Sequence, residues 1–299
     1  MDYRRDRRDF LKLGGALAAA AGLGTLGGVV RAEEPGKGAP NAEKLGWQLG
    51  CQAYSFNHFT FFEACDKNAS MGLKWLEAYP GQKLSADKPD AKIAEDMSPE
   101  SRELVKKKLA DTGITLVNYG VAGLSKDEAA ARKTFEFAKD MGIRTIVSEP
   151  AADAFDTVEK LAEEFGINVA IHNHPEPSPY WNPDKVLAVC KDRSKRIGAC
   201  ADTGHWMRSG INPLDALKKL EGRIVSFHFK DLDRFGHSAH DVVWGTGKAN
   251  VKDLLAEIHR QKFKGVFSIE YEYNWLNSVP EITKCVAFFD EVAAKLGQR

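Results

Sequence analysis

The chain has 299 residues, of which 43% are hydrophobic and 28% charged, a globular balance whose length buries one large core or two small ones. Its 42 Lys and Arg equal its 42 Asp and Glu, so there is no basic field to hold nucleic acid, and no such partner is expected. The five cysteines (Cys51, Cys65, Cys190, Cys200, Cys285) are odd in number, widely spaced and mostly in apolar segments, which argues for buried thiols over a disulfide framework or a thiolate metal site.

Near the N-terminus, Arg7-Arg8 precedes Phe10-Leu11-Lys12, and an uncharged Gly- and Ala-rich run follows from Leu13 to Val30. This pattern is a twin-arginine export signal over residues 1–32, and Val30-Arg31-Ala32 offers small residues for cleavage after Ala32. The mature chain would have 299 − 32 = 267 residues, be periplasmic or otherwise exported, and keep no membrane association. The alternative is an uncleaved anchor, because the run is about long enough to cross a bilayer. Residues 33–45, rich in Gly, Pro, Ala and charge, read as a flexible leader, and 46–299 as the folded body.

Four junctions then share one pattern: "ASMGLKWLEA", "ADTGITLVNY", "KDMGIRTIVSE" and "EEFGINVAIHN". A glycine that closes a helix in the left-handed conformation is followed by β-branched residues that prefer extended chain, so an alternating β-α order is expected. Strands are predicted near Leu49–Phe56, Trp75–Pro80, Ile114–Val121, Arg144–Pro150, Asn168–His174, Ile197–His205, Ile224–Asp231 and Val266–Glu272. Helical patterns fill the intervals, among them Pro99–Asp111, Asp127–Met141, Asp153–Phe165, Pro213–Glu221, Val251–Gln261 and Glu281–Leu296. Eight units in roughly 250 residues is the size of an α/β (β/α)8 TIM barrel. A doubly wound open sheet usually carries a glycine-rich phosphate turn after its first strand, and "CQAYSFNHF" has none.

In such a barrel the carboxyl ends of all strands open on one face. The fourth predicted strand ends at Glu149, the fifth at His172 and His174, the sixth at Asp202 and His205, the seventh at His228 and Lys230, and the eighth at Glu270 and Glu272. Any one of these has an ordinary explanation as a capping, hydrogen-bonded or solvated residue. Together, carboxylates crowded at an apolar mouth repel one another unless a cation lies between them. Carboxylate and imidazole donors without thiolate favour manganese, magnesium, cobalt or zinc.

The barrel order, "DTGH", "HFKD", "WGTGKANVKDLLAEI" and the closing "FSIEYE" together resemble the xylose isomerase-like superfamily of sugar isomerases and epimerases, which also contains inosose dehydratases and endonuclease IV. The resemblance spans about Leu49 to Leu296. It implies a divalent ion held by Asp202, His228 and Glu270, with His205 facing substrate. Where many epimerases carry a fifth-strand glutamate this chain has His172, and the resemblance to xylose isomerases implies Glu149 as the fourth ligand, with His172 as its replacement or a fifth.

The chemistry expected of that set is polarisation of a sugar carbonyl and abstraction of the neighbouring C–H proton through an enediolate. Glu270 is the expected base and His172 or His174 its partner, with Glu149 in the catalytic set; His174, His205, Lys230, His240 and Glu272 are the expected substrate contacts. Isomerisation or epimerisation of a keto-sugar is the first expectation. Dehydration or lysis of a keto-inositol or 3-keto-glycoside is the second, and a noncatalytic carbohydrate-binding protein represents the other class. Trp206, Tyr54, Phe56 and Trp244 are candidates for an apolar wall against the sugar. The only partner expected besides carbohydrate is a second copy of the chain.

Overall fold

The computed structural model describes residues 36–298. The signal, its cleavage point and residues 33–35 lie outside the described residues. Eight parallel strands close into a barrel: β1 (Trp47–Gln52), β2 (Trp75–Ala78), β5 (Thr115–Ala122), β6 (Thr145–Ser148), β7 (Asn168–His172), β8 (Ile197–Asp202), β9 (Ile224–Phe229) and β10 (Gly265–Ile269). Barrel order follows chain order. Between β2 and β5 the chain inserts a small antiparallel hairpin, β3 (Lys83–Ser85) and β4 (Lys88–Lys92), which the alternating pattern does not predict.

The glycine junctions behave as their chemistry requires. Gly72, Gly113, Gly142 and Gly166 all adopt positive φ between 68° and 76°, each directly before the residues that lead into a strand. Helix starts are equally local: Thr60 and Glu63 form a capping box on α2 (Phe61–Ser70), Ser98 caps α3 (Pro99–Thr112) and Asp127 caps α4 (Glu128–Asp140). The outer ring continues with α5 (Phe155–Phe165), α6 (Pro183–Cys190), α8 (Pro213–Lys219), α9 (Val251–Arg260) and α10 (Val279–Leu296).

Two expectations need correction. The expected leader is structured from Gly36 onward: α1 (Pro40–Lys44) packs on α10, Ala39 and Ala42 are buried, and Asp290 accepts hydrogen bonds from the Asn41 and Ala42 amides. The compact unit therefore begins near residue 35 rather than 46. The sixth strand was expected to run to His205, but it ends at Asp202. There the carboxylate caps α7 (Thr203–Arg208) by accepting the His205 amide at 2.6 Å and turns the chain across the barrel mouth.

The core has two layers. Outward-facing Phe227, Phe229 and Phe267 meet Trp47 and Phe289 between barrel and helices, with Phe227 stacked on Phe267 at 4.7 Å. Each fully buried phenylalanine contributes about 1.5–3 kcal/mol. Inside the barrel, Val147, Ala170 and Cys200 form a small apolar layer. Two residues further along those strands, on the same side of the pleat, stand Glu149, His172 and Asp202. All five cysteines are free and buried.

Candidate active site at the barrel mouth

The ends of β7, β8 and β9 are tied to one another before any ligand enters. Asn173 exchanges hydrogen bonds with the Asp202 backbone, and Thr203 Oγ1 bridges the Lys230 amide and carbonyl at 2.8 Å each. Gly204 is required by the Lys230 stem, which lies where a Cβ at that position would sit, 2.6 Å from Lys230 Cδ. These ties hold His172, Asp202, His228, Lys230 and Glu270 in a dry cluster, each at most 7% exposed.

Donor atoms of His172, Asp202, His205 and Glu270 lie within 4.8 Å of one another, a spacing that could hold a metal ion. Glu149, His172 and His174 form a second, overlapping group. Glu149 is not drawn to Asp202 and Glu270. Instead it accepts from His172 Nδ1 at 3.0 Å, from the His174 ring and amide, and from Ser178 Oγ. Burial alone would raise the Glu149 pKa; these imidazoles overcome it and leave the carboxyl well below its usual range.

His228 lies outside the first group but beside it, with Nδ1 3.2 Å from Glu270 Oε2 and its ring centroid 4.8 Å from that of His172. Its Nε2 meets Glu77 Oε1 at 2.8 Å. His172 and His228 thus share one arrangement: one nitrogen rests on a carboxylate, and the other, His172 Nε2 or His228 Nδ1, is buried without a hydrogen-bond partner. A carboxylate on the far nitrogen is the usual support of a metal-ligating histidine, and an unpartnered buried nitrogen is costly. These residues fit a hard or borderline divalent ion.

His205 is built the opposite way. Arg208 Nη1 meets His205 Nδ1 at 3.1 Å, and a guanidinium can only donate, so Nδ1 accepts and the proton sits on Nε2. Burial holds the His205 pKa well below normal, which agrees with a neutral ring. With Nε2 protonated, His205 is a hydrogen-bond donor, 3.6 Å from Asp202 Oδ2, and not a ligand.

Lys230 supplies the resident positive charge. Its ammonium lies 2.7 Å from Asp202 Oδ2, 2.6 Å from Glu270 Oε2 and 3.3 Å from Glu272 Oε2. Burial opposes ionisation of all three buried members, yet Lys230 is held well above its normal pKa, and Asp202 and Glu270 well below theirs. For Asp202 burial is opposed by its neighbours His205, Lys230 and His172; with the His205 ring neutral, Lys230 is the permanent cation among them and carries the balance.

Above the cluster opens a cavity of about 320 Å³ lined by Gln52, Tyr54, Tyr79, His174, His205, Glu270 and Glu272, among others. Of the four aromatic candidates only Tyr54 reaches it; Phe56, Trp206 and Trp244 are core residues, each at most 1% exposed. His240 sits apart from the cavity lining, against the Tyr273 ring at 4.4 Å and beside Asp233. The sequence reading missed Glu77, Arg208 and Asp241, of which only Glu77, at the tip of "WLEA", sat at a strand end where a site residue is expected. Among the described residues no helix is long and apolar enough to cross a membrane.

Comparison with known proteins agrees with this architecture. The twin-arginine translocation signal family matches residues 6–24, so the chain carries a signal for export by that pathway. An uncharacterised protein from Parabacteroides distasonis superposes with a TM-score of 0.68 at 34% identity, covering 82% of this chain and 99% of its own. The IolI protein, solved with a bound zinc atom, superposes at 0.63 with 17% identity over 83% of this chain and 99% of its own. Inosose dehydratase 2 of Bacillus cereus is 31% identical over 84 residues, a match spanning 28% of each chain. The xylose isomerase-like TIM barrel family matches residues 65–291, and the chain belongs to it.

Proposed function

We propose that the protein is a divalent-metal-dependent sugar isomerase or epimerase acting on a keto-sugar or sugar derivative. The observation that carries this is the pair of unpartnered nitrogens, His172 Nε2 and His228 Nδ1, buried beside Asp202 and Glu270 at the ends of four consecutive strands. In this reading His172, Asp202, His228 and Glu270 hold the ion, and Glu77 and Glu149 orient the two imidazoles. The zinc in the IolI protein supports it.

A manganese, magnesium, cobalt or zinc ion held by His172, Asp202, His228 and Glu270 would supply Lewis-acid polarisation of a sugar carbonyl, an effect that can lower a barrier by several kcal/mol. Glu270 takes the proton from the carbon beside the carbonyl. His205 donates from Nε2 to a substrate oxygen, while Lys230, buried on its three carboxylates, holds Asp202 and Glu270 in place. Both Glu270 and His205 line the cavity, as does His174, whose Nδ1 rests on Glu149 and whose Nε2 is free to carry a proton. Delivery of the His174 Nε2 proton to the same carbon inverts it, with the proton left on Glu270 and the one lost from His174 exchanging with solvent, and transfer of the Glu270 proton to the neighbouring carbon isomerises.

A second reading, dehydration of a keto-inositol, is favoured by the partial match to inosose dehydratases. The two differ in the fate of the enediolate, protonation or loss of a β-hydroxyl. Metal-stripped protein reloaded with each ion and incubated with ketoses and keto-inositols in deuterium oxide separates them. Solvent deuterium at the α-carbon with the carbon skeleton retained marks isomerase or epimerase chemistry, and an unsaturated product marks dehydration. Deuterium uptake that is independent of the ion, or absent from every substrate, rejects the proposal.

A further inference from the structure

Large apolar side chains left in water are individually ordinary, but their placement here is not. Among the described residues the four exposed ones are Tyr54 (38%), Phe235 (44%), Tyr273 (46%) and Leu276 (72%). Tyr54 follows β1, Phe235 follows β9, and Tyr273 and Leu276 follow β10, three strands adjacent in the barrel. All four residues, on three loops, therefore lie on the catalytic rim, along one arc of it. The helices of the outer ring and the opposite end of the barrel contribute none.

The arc is continuous with the cavity. Tyr54 and Tyr79 both line the cavity, and their rings meet edge to face at 5.1 Å. Tyr54 meets Trp275 in the same way at 5.8 Å, on the side of the β10 loop. The interior of the mouth is polar and charged, suited to the hydroxyls of one sugar ring, whereas the rim is aromatic. An apolar surface that begins inside a polar pocket matches one ligand with two unlike ends. A second copy of the chain would meet the rim but would not enter the pocket, leaving Tyr54's place in the cavity lining without a purpose.

Resting on the reading of the mouth as a sugar site, we propose that the substrate is a glycoside: the reacting sugar occupies the polar cavity, and a ring-shaped substituent, aromatic or a second sugar, lies against Tyr54 and Trp275. Aromatic faces suit both kinds of ring, through stacking and through contact with axial C–H groups.

The test uses matched methyl and phenyl β-glycosides of glucose, galactose and xylose, with binding to the cobalt-loaded protein followed by saturation-transfer NMR and calorimetry. At least one phenyl glycoside is expected to bind about tenfold more tightly than its methyl partner. Trp275→Ala, at the rim outside the cavity lining, should abolish most of that gain and leave methyl glycoside binding unchanged, whereas Tyr54→Ala, at the cavity lining, should weaken both partners and the phenyl glycoside more. Equal affinity within every pair, or a gain that survives both substitutions, overturns the glycoside proposal while the sugar site stands. Failure of all six compounds to bind also overturns the glycoside proposal, while the reading of the mouth as a keto-sugar site stands or falls on the deuterium experiment with ketoses. A dimer in sedimentation velocity that Leu276→Asp disperses would assign the rim to a second copy of the chain and also overturn it.

Discussion

The Lys230 ammonium stands 2.6 Å from Glu270 Oε2 and 2.7 Å from Asp202 Oδ2, with Glu272 further off at 3.3 Å, so a buried side-chain cation occupies the charge-balancing role that the crowded carboxylates demand. In the proposed reading a divalent ion held by Asp202 and Glu270 would draw on the same negative charge, so lysine and metal would compete. Removing one partner from a buried ion pair costs about 3–5 kcal/mol because the remaining charge is left uncompensated.

Lys230→Met is expected to lower the thermal midpoint of the metal-free protein steeply and to bind cobalt or zinc more tightly than the parent does. Thermal melts with and without each ion check this. A variant that gains no more from the ion than the parent does would show that Lys230 and the metal do not share these carboxylates.

Arg208 acts on His205 through a single contact, so its effect is readable in the ring itself. Nδ1 accepts from the guanidinium, which leaves Nε2 protonated. In Arg208→Met that constraint is gone. Long-range nitrogen–proton NMR of the imidazole is expected to show the Nε2–H tautomer in the parent and a mixture in the variant. Turnover should fall by about a hundredfold with KM changed far less, the size of effect seen when one oriented donor to a developing oxyanion is lost. A parent protein whose His205 carries its proton on Nδ1 would remove Arg208 from this role.

The barrel was legible because its signals are local. A glycine that must take positive φ before a β-branched run can be read within ten residues, and Gly72, Gly113, Gly142 and Gly166 each obey that rule. Site residues at strand ends were legible for the same reason, since the fold fixes which end is open. Partners were not. Glu77 meets His228 across 151 residues, and Arg208 meets Glu272 across 64, distances at which only the closed barrel defines proximity. The α1 segment failed as a sequence signal because five residues carry almost no helical pattern, and the Asp290 carboxylate that holds them is 249 residues away from Asn41.

Asp241 gives a pH dependence of known sign. Burial pushes its carboxyl up to about 8, Lys230 and Arg208 only partly offsetting this, and Oδ1 has no hydrogen-bond partner. Arg208 is 3.3 Å away and committed more closely to Glu272. A folded-state pKa raised above the unfolded value of about 3.9 means that the folded state binds the proton more tightly. The resulting stability is fully present below about pH 4 and is lost as pH rises through about 8. Asp241→Asn, which mimics the neutral carboxyl, should therefore gain stability relative to the parent across that window. Urea melts at pH 5, 7 and 9 measure it; a difference that stays constant with pH would mean that Asp241 is ionised throughout.

The glycines of "WGTGK" resemble a phosphate loop in composition, yet their role is internal. Asp231 accepts the backbone N–H groups of Gly245, Gly247 and Ala249 at 2.9–3.0 Å, anchoring the long β9 loop to the strand end. A Cβ at Gly247 would collide with the Asp231 carboxylate and the Leu232 carbonyl, neither of which can retreat without breaking those bonds. Gly247→Ala is accordingly expected to cost about 1–3 kcal/mol of stability from overpacking alone, more once the buried carboxylate loses a donor. Hydrogen exchange should quicken across residues 232–250 while β7 and β8 keep their protection. A variant with parental stability and unchanged exchange in this loop would show that Asp231 does not hold it.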